Sequence, residues 1–436
     1  MHTNTDIDTD PEEVAVGITR DRAAWSALAV ALSGVSCTSN APTSPPPAAK
    51  EAFDPKVVAE RLAAGLEQPI DLEDPSTCAV CHAAVYAEWT ESMHARAHHA
   101  KDPIYGAMRD FRLAKGQNII GKCESCHAPR AGGDYASAAA MAGVSCAACH
   151  NVKAVHTAEY AKGAELIVAA EDDTMRSARD VPLDSSPVHG NGPALPALAD
   201  GKTLCLACHG KHDNPAQVPV CTTGSELDAH AGDETCVSCH MPEADGPSGA
   251  VSDRSRHRSH RFVGPHRAYL QDDPSLLASG VELEVMLDGD TARVTLNNRS
   301  GHAFPSGFPG RLALVKVVGL DDEGRAVWQN FAGDPMKESP ASVLNKVYVD
   351  ADGAPTMPPF AKALARDNRL GPDERRTLSF EVPDAVETVE ASVLYRLLPP
   401  PAAKQLGLAE SELAKPVRVV TVSSKRPREP GVTEKN

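Results

Sequence analysis

The chain has 436 residues, which predicts more than one domain, and its formal net charge is -16 at pH 7. A surface this acidic excludes nucleic acid and anionic membranes as partners that bind by charge. Aromatic residues make up only 4% of the chain, beside 31 glycines and 35 prolines, so an ordinary aromatic-rich core is excluded as well. Either much of the chain is disordered, or something other than protein fills the interior.

An apolar stretch within the first 50 residues has the features of a targeting segment, although Asp6, Asp8, Asp10, Glu12 and Glu13 before it are wrong for a basic n-region. The apolar stretch from Ala23 to Val35 follows Arg20 and Arg22, as in a signal peptide, and is too short to span a bilayer as a stable helix. We therefore predict a leader over residues 1–37 and a Pro/Ser-rich linker over residues 38–50. Two interpretations of Cys37 stay open: it carries a lipid that anchors the protein to a membrane, or the chain is simply secreted with a spare cysteine.

Ten of the twelve cysteines form pairs with two residues between them, and each pair is followed directly by a histidine. The motifs, numbered one to five in chain order, are CAVCH, CESCH, CAACH, CLACH and CVSCH. The paired cysteines are Cys78 and Cys81, Cys123 and Cys126, Cys146 and Cys149, Cys205 and Cys208, and Cys236 and Cys239. The adjoining histidines are His82, His127, His150, His209 and His240.

Two kinds of site compete for these motifs. Structural zinc takes four ligands from two pairs, but five pairs cannot be divided evenly, and zinc gives no reason for a histidine after every pair. C-x-x-C-H is instead the pattern of c-type haem attachment, with two thioether bonds and a proximal histidine. We predict five covalently bound haem c groups in a domain over residues 51–270. Because this attachment is completed outside the cytoplasm, we expect the protein in the periplasm, at the outer membrane or outside the cell.

The sixth position of each iron separates an electron carrier from an enzyme. Twelve histidines outside the motifs are available for it, and bis-histidine ligation closes the iron to substrates. The segment AAVYAEWTESMHARAHH predicts a helix. On a continuous helix His94 would lie about 18 Å from His82, so we expect it to ligate a different haem. We expect His212, His230 and His257 at the surface and Cys221 unpaired.

The character of the sequence changes at about residue 281. VELEVML and ARVTLNN alternate apolar and polar residues around an Asp-Gly-Asp turn, which predicts a β-hairpin. RLALVKVVGL, RAVWQN, TLSFEV, VEASVLYRL and PVRVVTV add further strands. About seven antiparallel strands predict an immunoglobulin-like β-sandwich over residues 281–425, followed by a tail over residues 426–436. The predicted fold class is α+β, with a helical and irregular haem-packed domain before the β-domain.

Several segments resemble the multihaem c-type cytochrome family that includes hydroxylamine-cascade cytochromes and multihaem nitrite reductases. These are CAVCHAAVYAEWTESMHARA, GVSCAACH, CLACH with the upstream SPVHG, CVSCHMP and SHRFVGPH, while NRSGHAFPSG is similar to a loop through which a β-domain supplies a haem ligand. The resemblance implies that His94, His189, His260 and His302 are distal ligands. For the fifth haem His266, His156, His98 and His99 stay open, as does a five-coordinate iron, and we place His266 in the predicted set.

Two functions follow. The first is electron transfer through five mainly bis-histidine haems to or from redox partner proteins, either basic proteins or other cytochromes. The alternative is an oxidoreductase that acts on a small nitrogen or sulfur species at a five-coordinate haem. The absence of a C-x-x-C-K motif, which the nitrite-reductase branch uses at its catalytic haem, favours electron transfer. The predicted β-sandwich is also compatible with a docking role on a larger complex.

Overall fold

The computed structural model describes residues 70–183, 186, 188–250 and 252–427, and these residues belong to one compact unit. The predicted leader, linker and lipidated Cys37 lie outside the described residues. None of the helices in the described part has the length and apolar character needed to traverse a bilayer.

Short helices dominate the part of the chain that carries the cysteine motifs. The α-helices before residue 281 are α1 Ala83–Thr90, α2 Pro103–Ala114, α3 Glu124–His127, α4 Ala138–Met141, α5 Cys146–His150, α6 Pro196–Ala199, α7 Thr203–His209, α8 Thr223–Leu227, α9 Cys236–His240, α10 Arg267–Leu270 and α11 Ser275–Ser279. Short 3-10 helices cover Pro75–Val80 and Gly163–Leu166. Three small antiparallel pairs lie between them: β1 Val152–Val155 with β2 Ile167–Ala169, β3 His212–Asp213 with β4 Pro219–Cys221, and β5 Glu243–Asp245 with β6 Arg256–Arg258.

Strands dominate from residue 281 onward. They are β7 Val281–Asp288, β8 Thr291–Asn298, β9 Leu312–Leu320, β10 Ala326–Gln329, β11 Val343–Leu344, β12 Lys346–Val349, β13 Ala363–Asp367, β14 Arg375–Glu381, β15 Thr388–Arg396 and β16 Val417–Lys425. The helices among them are α12 Pro335–Glu338 and α13 Pro400–Gln405, with 3-10 turns at Pro340–Ser342, Pro358–Phe360 and Glu412–Ala414. One sheet has the order β14-β8-β7 and another β10-β9-β15-β16, with β11 also paired to β9.

The two sheets share one hydrophobic core. Along β8 the side chains of Ala292, Val294 and Leu296 are fully buried, while the residues between them are only partly buried. This alternation places one face of the strand in the core, as the sequence pattern predicts. The same core takes in Ile104 from α2, so the haem-motif segment packs directly against the strands.

The α+β class and the seven predicted strands are confirmed. The immunoglobulin-like shape and the domain boundaries stay predictions, and β11, β12 and β13 were not predicted. The continuous helix after motif one is wrong, because α1 ends at Thr90. The Ser92 hydroxyl and backbone N–H both donate to the Trp89 carbonyl, which closes a turn in place of the next helical residues. His94 therefore lies beyond the helix, and the distance argued from a continuous helix does not apply.

Candidate haem sites

Short helices hold the attachment residues of motifs two to five. In α5 and α9 the motif itself is the helix, and α3 and α7 end at the motif histidine. Positions i, i+3 and i+4 share one helix face, so both thiols and the imidazole of one motif point to the same side. Motif one differs, because a 3-10 turn holds Cys78 and α1 begins only after His82. In all five motifs the cysteines are half-buried.

Four of the five proximal histidines are oriented by a backbone carbonyl. The Nδ1 atoms of His82, His127, His150 and His240 lie 2.7, 2.8, 2.7 and 2.6 Å from the carbonyl oxygens of Ser248, Ala97, Arg176 and Val263. At these distances Nδ1–H donates, so Nε2 carries the lone pair. A metal-bound histidine uses this arrangement, in which a hydrogen bond at one nitrogen fixes the tautomer and leaves the other for the metal.

Three proximal histidines each face one histidine from elsewhere in the chain. The ring centres of His150 and His260 are 6.1 Å apart, those of His94 and His209 are 6.2 Å apart, and those of His240 and His302 are 6.4 Å apart. Two metal–nitrogen bonds of about 2 Å, plus about 1.1 Å from each nitrogen to its ring centre, require about 6.2 Å. The spacing therefore fits one iron between each pair of rings.

The distal candidates are held in the neutral form that a metal requires. Burial, together with neighbouring histidines, lowers the pKa of His94 to about 3 and that of His260 to about 4. Burial also lowers the pKa of His302. The Nδ1 atoms of His260 and His302 lie 2.8 and 3.1 Å from the carbonyl oxygens of Arg258 and Ala303, which leaves Nε2 for iron. The buried Nδ1 of His94 has no hydrogen-bond partner among the described residues.

Thiols from different motifs also lie close together. Cys78 and Cys146, Cys126 and Cys208, and Cys205 and Cys236 are near enough for the thiols of each pair to shift each other's pKa. Cys149 of motif three lies close to the thiols of motif four. Because each thiol marks the edge of its own haem, motif one lies beside motif three, and motif four lies beside motifs two, three and five. The five attachment sites are therefore contiguous.

The other candidate distal ligands, His189, His266 and His99, do not form ring pairs like the three above among the described residues. His189 and His82 both lie close enough to His150 to lower the pKa of His150. Burial lowers the pKa of His266 to about 3, its Nε2 has no partner among the described residues, and the charged group beside it is Arg311. The buried Nδ1 of His99 likewise lacks a partner in the described part of the chain. Neither His266 nor His99 is placed opposite a proximal histidine at the spacing of the three pairs.

Two alternatives for the fifth ligand are less suited to iron. The Nε2 of His98 lies 3.0 Å from the Tyr135 carbonyl oxygen, and its Nδ1 accepts the N–H of Ala100, so both ring nitrogens are engaged. His156 is exposed.

The three histidines expected at the surface differ in their solvent exposure. His212 is exposed as predicted. The expectation for His257 is wrong: it is buried, because Nδ1 bonds the Gly246 carbonyl and Nε2 lies 3.3 Å from Glu88. His230 is half-buried between the carboxylates of Glu234 and Asp373. Cys221 is not in a disulfide, and its sulfur contacts the Thr223 hydroxyl.

Sequence reasoning missed two buried carboxylates beside the distal candidates. Glu88 is 5% exposed and contacts the backbone of His260, and Glu226 is 9% exposed and contacts the residue that follows His302. No signal in the sequence distinguishes these glutamates from surface residues, because glutamate is usually exposed.

The donor set fits haem c. Paired thiols on one helix face, proximal imidazoles with Nδ1 already bonded, and facing imidazoles about 6 Å away are what two thioether bonds and a six-coordinate iron require. The resident group would supply a reversible one-electron couple, while the chain supplies its attachment, its axial ligands and its exclusion from water.

Comparison with known proteins agrees with this geometry. Residues 77–151 match a family model described as cytochrome c554 and c-prime. The structure is similar to the crystal structure of a penta-heme cytochrome c552 from Thermochromatium tepidum, at 26% sequence identity and a TM-score of 0.70. That match covers 82% of this chain and 100% of the other. No curated protein matches the sequence. Together with the five C-x-x-C-H motifs, these likenesses support a multihaem c-type cytochrome with covalently bound haem c.

Proposed function

We propose that the protein transfers electrons through five covalently bound haem c groups, most of them closed by two histidines. The observation that supports this most directly is the set of three imidazole pairs at 6.1, 6.2 and 6.4 Å. An iron with two strong nitrogen ligands has no position for a substrate, so its accessible chemistry is electron exchange.

The contiguity of the attachment sites supports the same function. The thiol contacts make a connected series from motif one through motif three to motif four, from which motifs two and five branch. Electrons that enter at any haem can reach every other one across short gaps. We assign His189 to the haem of motif one, because His82 and His189 both lie near His150.

One observation favours the alternative at motif two. Tyr105 stacks on His127 with ring centres 3.8 Å apart and planes 21° apart. A ring that is parallel to an axial imidazole stands beside it, on the proximal side of the porphyrin, so Tyr105 is not a ligand opposite His127. Neither His82 nor His127 faces a described imidazole at the spacing of the three pairs. Because His189 is assigned to motif one, the haem of motif two is the candidate for a five-coordinate iron. A small nitrogen or sulfur species would bind there, in an oxidoreductase.

Location and partners belong to the same proposal. The apolar leader and the chemistry of haem attachment support a periplasmic or cell-surface site. The net charge of -16 supports a basic redox protein or another cytochrome with a basic face as the partner.

The decisive experiment is a count of haems and of their spin states. Pyridine haemochrome analysis of the denatured holoprotein should give five haems per chain, and electron paramagnetic resonance of the oxidised protein should show at least four low-spin irons. Two haems or fewer would contradict the stoichiometry. Five low-spin irons would exclude the oxidoreductase, whereas two or more high-spin irons would exclude a simple electron carrier.

A further inference from the structure

Glu88 and Glu226 share an unusual environment. Each is a carboxylate from the haem-motif segment that is almost fully buried, which is costly unless charged and polar partners surround it. Each has an arginine partner at 2.8 Å. Glu88 also accepts the backbone N–H of His260, and Glu226 accepts that of Ala303, which follows His302. The bond from His260 to Glu88 and the bond from Ala303 to Glu226 each join residues that are far apart in the sequence.

At the haem of motif three, Glu88 on α1 binds the segment that carries His260. Its Oε2 accepts the backbone N–H of His260 itself at 2.8 Å, and its Oε1 accepts Nη1 of Arg261 at 2.8 Å. The Nε2 of His257 lies 3.3 Å from the same carboxylate. Three groups from one short segment therefore converge on a single carboxylate, which fixes the backbone from which the His260 ring projects toward His150.

At the haem of motif five, Glu226 on α8 binds the loop that carries His302. Its Oε2 accepts the N–H of Ala303 at 3.1 Å, and its Oε1 lies 2.8 Å from Nη1 of Arg369. The same Nη1 donates to the Ser306 carbonyl at 2.8 Å, so carboxylate and arginine hold the loop at two points.

The β-domain holds the His302 loop from the other side. The amide of Asn298 and the hydroxyl of Ser300 both donate to the His302 carbonyl at 2.8 Å. Glu226 thus binds the backbone next to the ligand from the haem-motif segment, while Asn298 and Ser300 bind the carbonyl of the ligand itself.

The remaining imidazole pair, His94 and His209, has no such carboxylate among the described residues. The His94 carbonyl accepts N–H groups from Val144 and Ala97, and no described carboxylate bonds the His94 backbone. This pair is an internal reference, because its ligation should not respond to changes at either glutamate.

We propose that Glu88 and Glu226 are positioning residues that hold the distal ligands His260 and His302 against their irons through charge-assisted bonds to the ligand-bearing backbone. The inference rests on the ligation assigned under the proposed function. N–H bonds to a carboxylate are roughly twice as strong as neutral ones. Loss of a partner that orients a metal ligand typically costs about 10–100-fold in metal affinity or activity.

Carbon monoxide measures this contribution, because it must displace the distal histidine from reduced iron. If the glutamate holds the histidine in place, weakening that hold raises the apparent affinity for carbon monoxide by the same factor. We expect Glu226→Gln and Glu88→Gln each to raise carbon monoxide affinity at one haem by about tenfold or more. Lost negative charge alone would shift a reduction potential without opening the haem, so carbon monoxide binding separates the two effects.

The test measures carbon monoxide binding by the reduced holoprotein and by two sets of variants. The first set is Glu226→Gln, His302→Ala and their double variant. The second set is Glu88→Gln, His260→Ala and their double variant. Five retained haems show that a variant has matured, and Arg369→Lys replaces Glu226→Gln if the latter does not. We expect each double variant to bind carbon monoxide as its histidine variant does, because the glutamate acts only through that histidine. Each glutamate variant is the matched control for the other haem.

The outcomes separate this inference from the ligation itself. If His302→Ala and His260→Ala open no haem, the assigned ligation fails. If they open one haem each but the glutamate variants bind carbon monoxide as the parent does, the positioning role fails alone. A double variant that opens two haems would also overturn it, because the glutamate would then act at another iron.

Discussion

The imidazole rings of His240 and His302 lie 6.4 Å apart and within 13° of parallel, although His240 ends a motif helix and His302 belongs to a loop between two strands of the β-domain. The β-domain thus reaches the histidine of motif five. Under the proposed function His302 is a ligand of that haem, so the attachment of the β-domain to the cytochrome part does not depend on surface contacts alone.

His302→Ala should open the haem of motif five. The oxidised iron would lose a nitrogen donor, so one haem should become high-spin or take water, its potential should rise, and it should bind carbon monoxide when reduced. Titration of the dithionite-reduced variant should give one more carbon monoxide per chain than the parent. All five haems should stay covalently bound. His212→Ala is the matched control, because His212 is exposed, and an unchanged low-spin spectrum of His302→Ala would refute the ligation.

His94→Ala should open a different haem, that of motif four. The centre of the His94 ring lies 6.2 Å from that of His209 and 4.1 Å from that of Phe262. Because the two irons are separate, the double variant with His302→Ala should bind two additional carbon monoxide molecules, with additive spectral changes. A double variant that binds only one would show that both histidines serve the same haem.

The parts of the fold that the sequence predicts are those encoded locally. Paired thiols and a histidine within five residues specify attachment without any tertiary information, and the alternation along β8 specifies a half-buried strand. The end of α1 was not predicted. The bond from the Ser92 hydroxyl to the Trp89 carbonyl ends the helix, but a serine at that position of the sequence is only a weak sign that a helix stops.

The pairing of ligands depends on contacts between distant segments. The sequence offers several histidines of similar character, and only the fold brings His260 to His150 and His94 to His209. His257 was expected at the surface for the same reason: its partner, Glu88, lies far away in the sequence. Buried charges that satisfy one another cannot be recognised until both partners are in place.

Leu296→Ala tests the shared core of the two sheets. Leu296 is fully buried, so the truncation leaves a cavity and should lower the free energy of unfolding by about 2–5 kcal/mol. A urea titration of the holoprotein followed by far-ultraviolet circular dichroism should show the lower midpoint. Leu183→Ala, at a position that is 69% exposed, should change the stability by less than about 0.5 kcal/mol. Equal effects of both changes would argue against a single packed core.

Cys37→Ala decides between the two interpretations of the leader. If Cys37 carries a lipid, the variant should move from the membrane fraction to the soluble fraction, because a lipid chain and not the folded part would hold the protein there. Detergent phase partitioning of the mature, haem-loaded protein measures this. Cys221→Ala is the control, since Cys221 is the other cysteine outside the motifs. An unchanged distribution would remove the lipid anchor and leave export untouched.

His230 should make the contact between the β-domain and the motif-five region depend on pH. Burial alone would lower the pKa of His230, but hydrogen bonds to Glu234 and Asp373 raise it above its ordinary value. Because the folded pKa is the higher one, the stabilisation is complete below about pH 6.5 and is lost as the pH rises through the folded pKa. His230→Asn removes the titrating group. The melting temperature of the parent should exceed that of the variant by a few degrees at about pH 5.5, and the difference should shrink by about pH 8.5. A difference that stays constant over this range would show that His230 contributes through packing, not through charge.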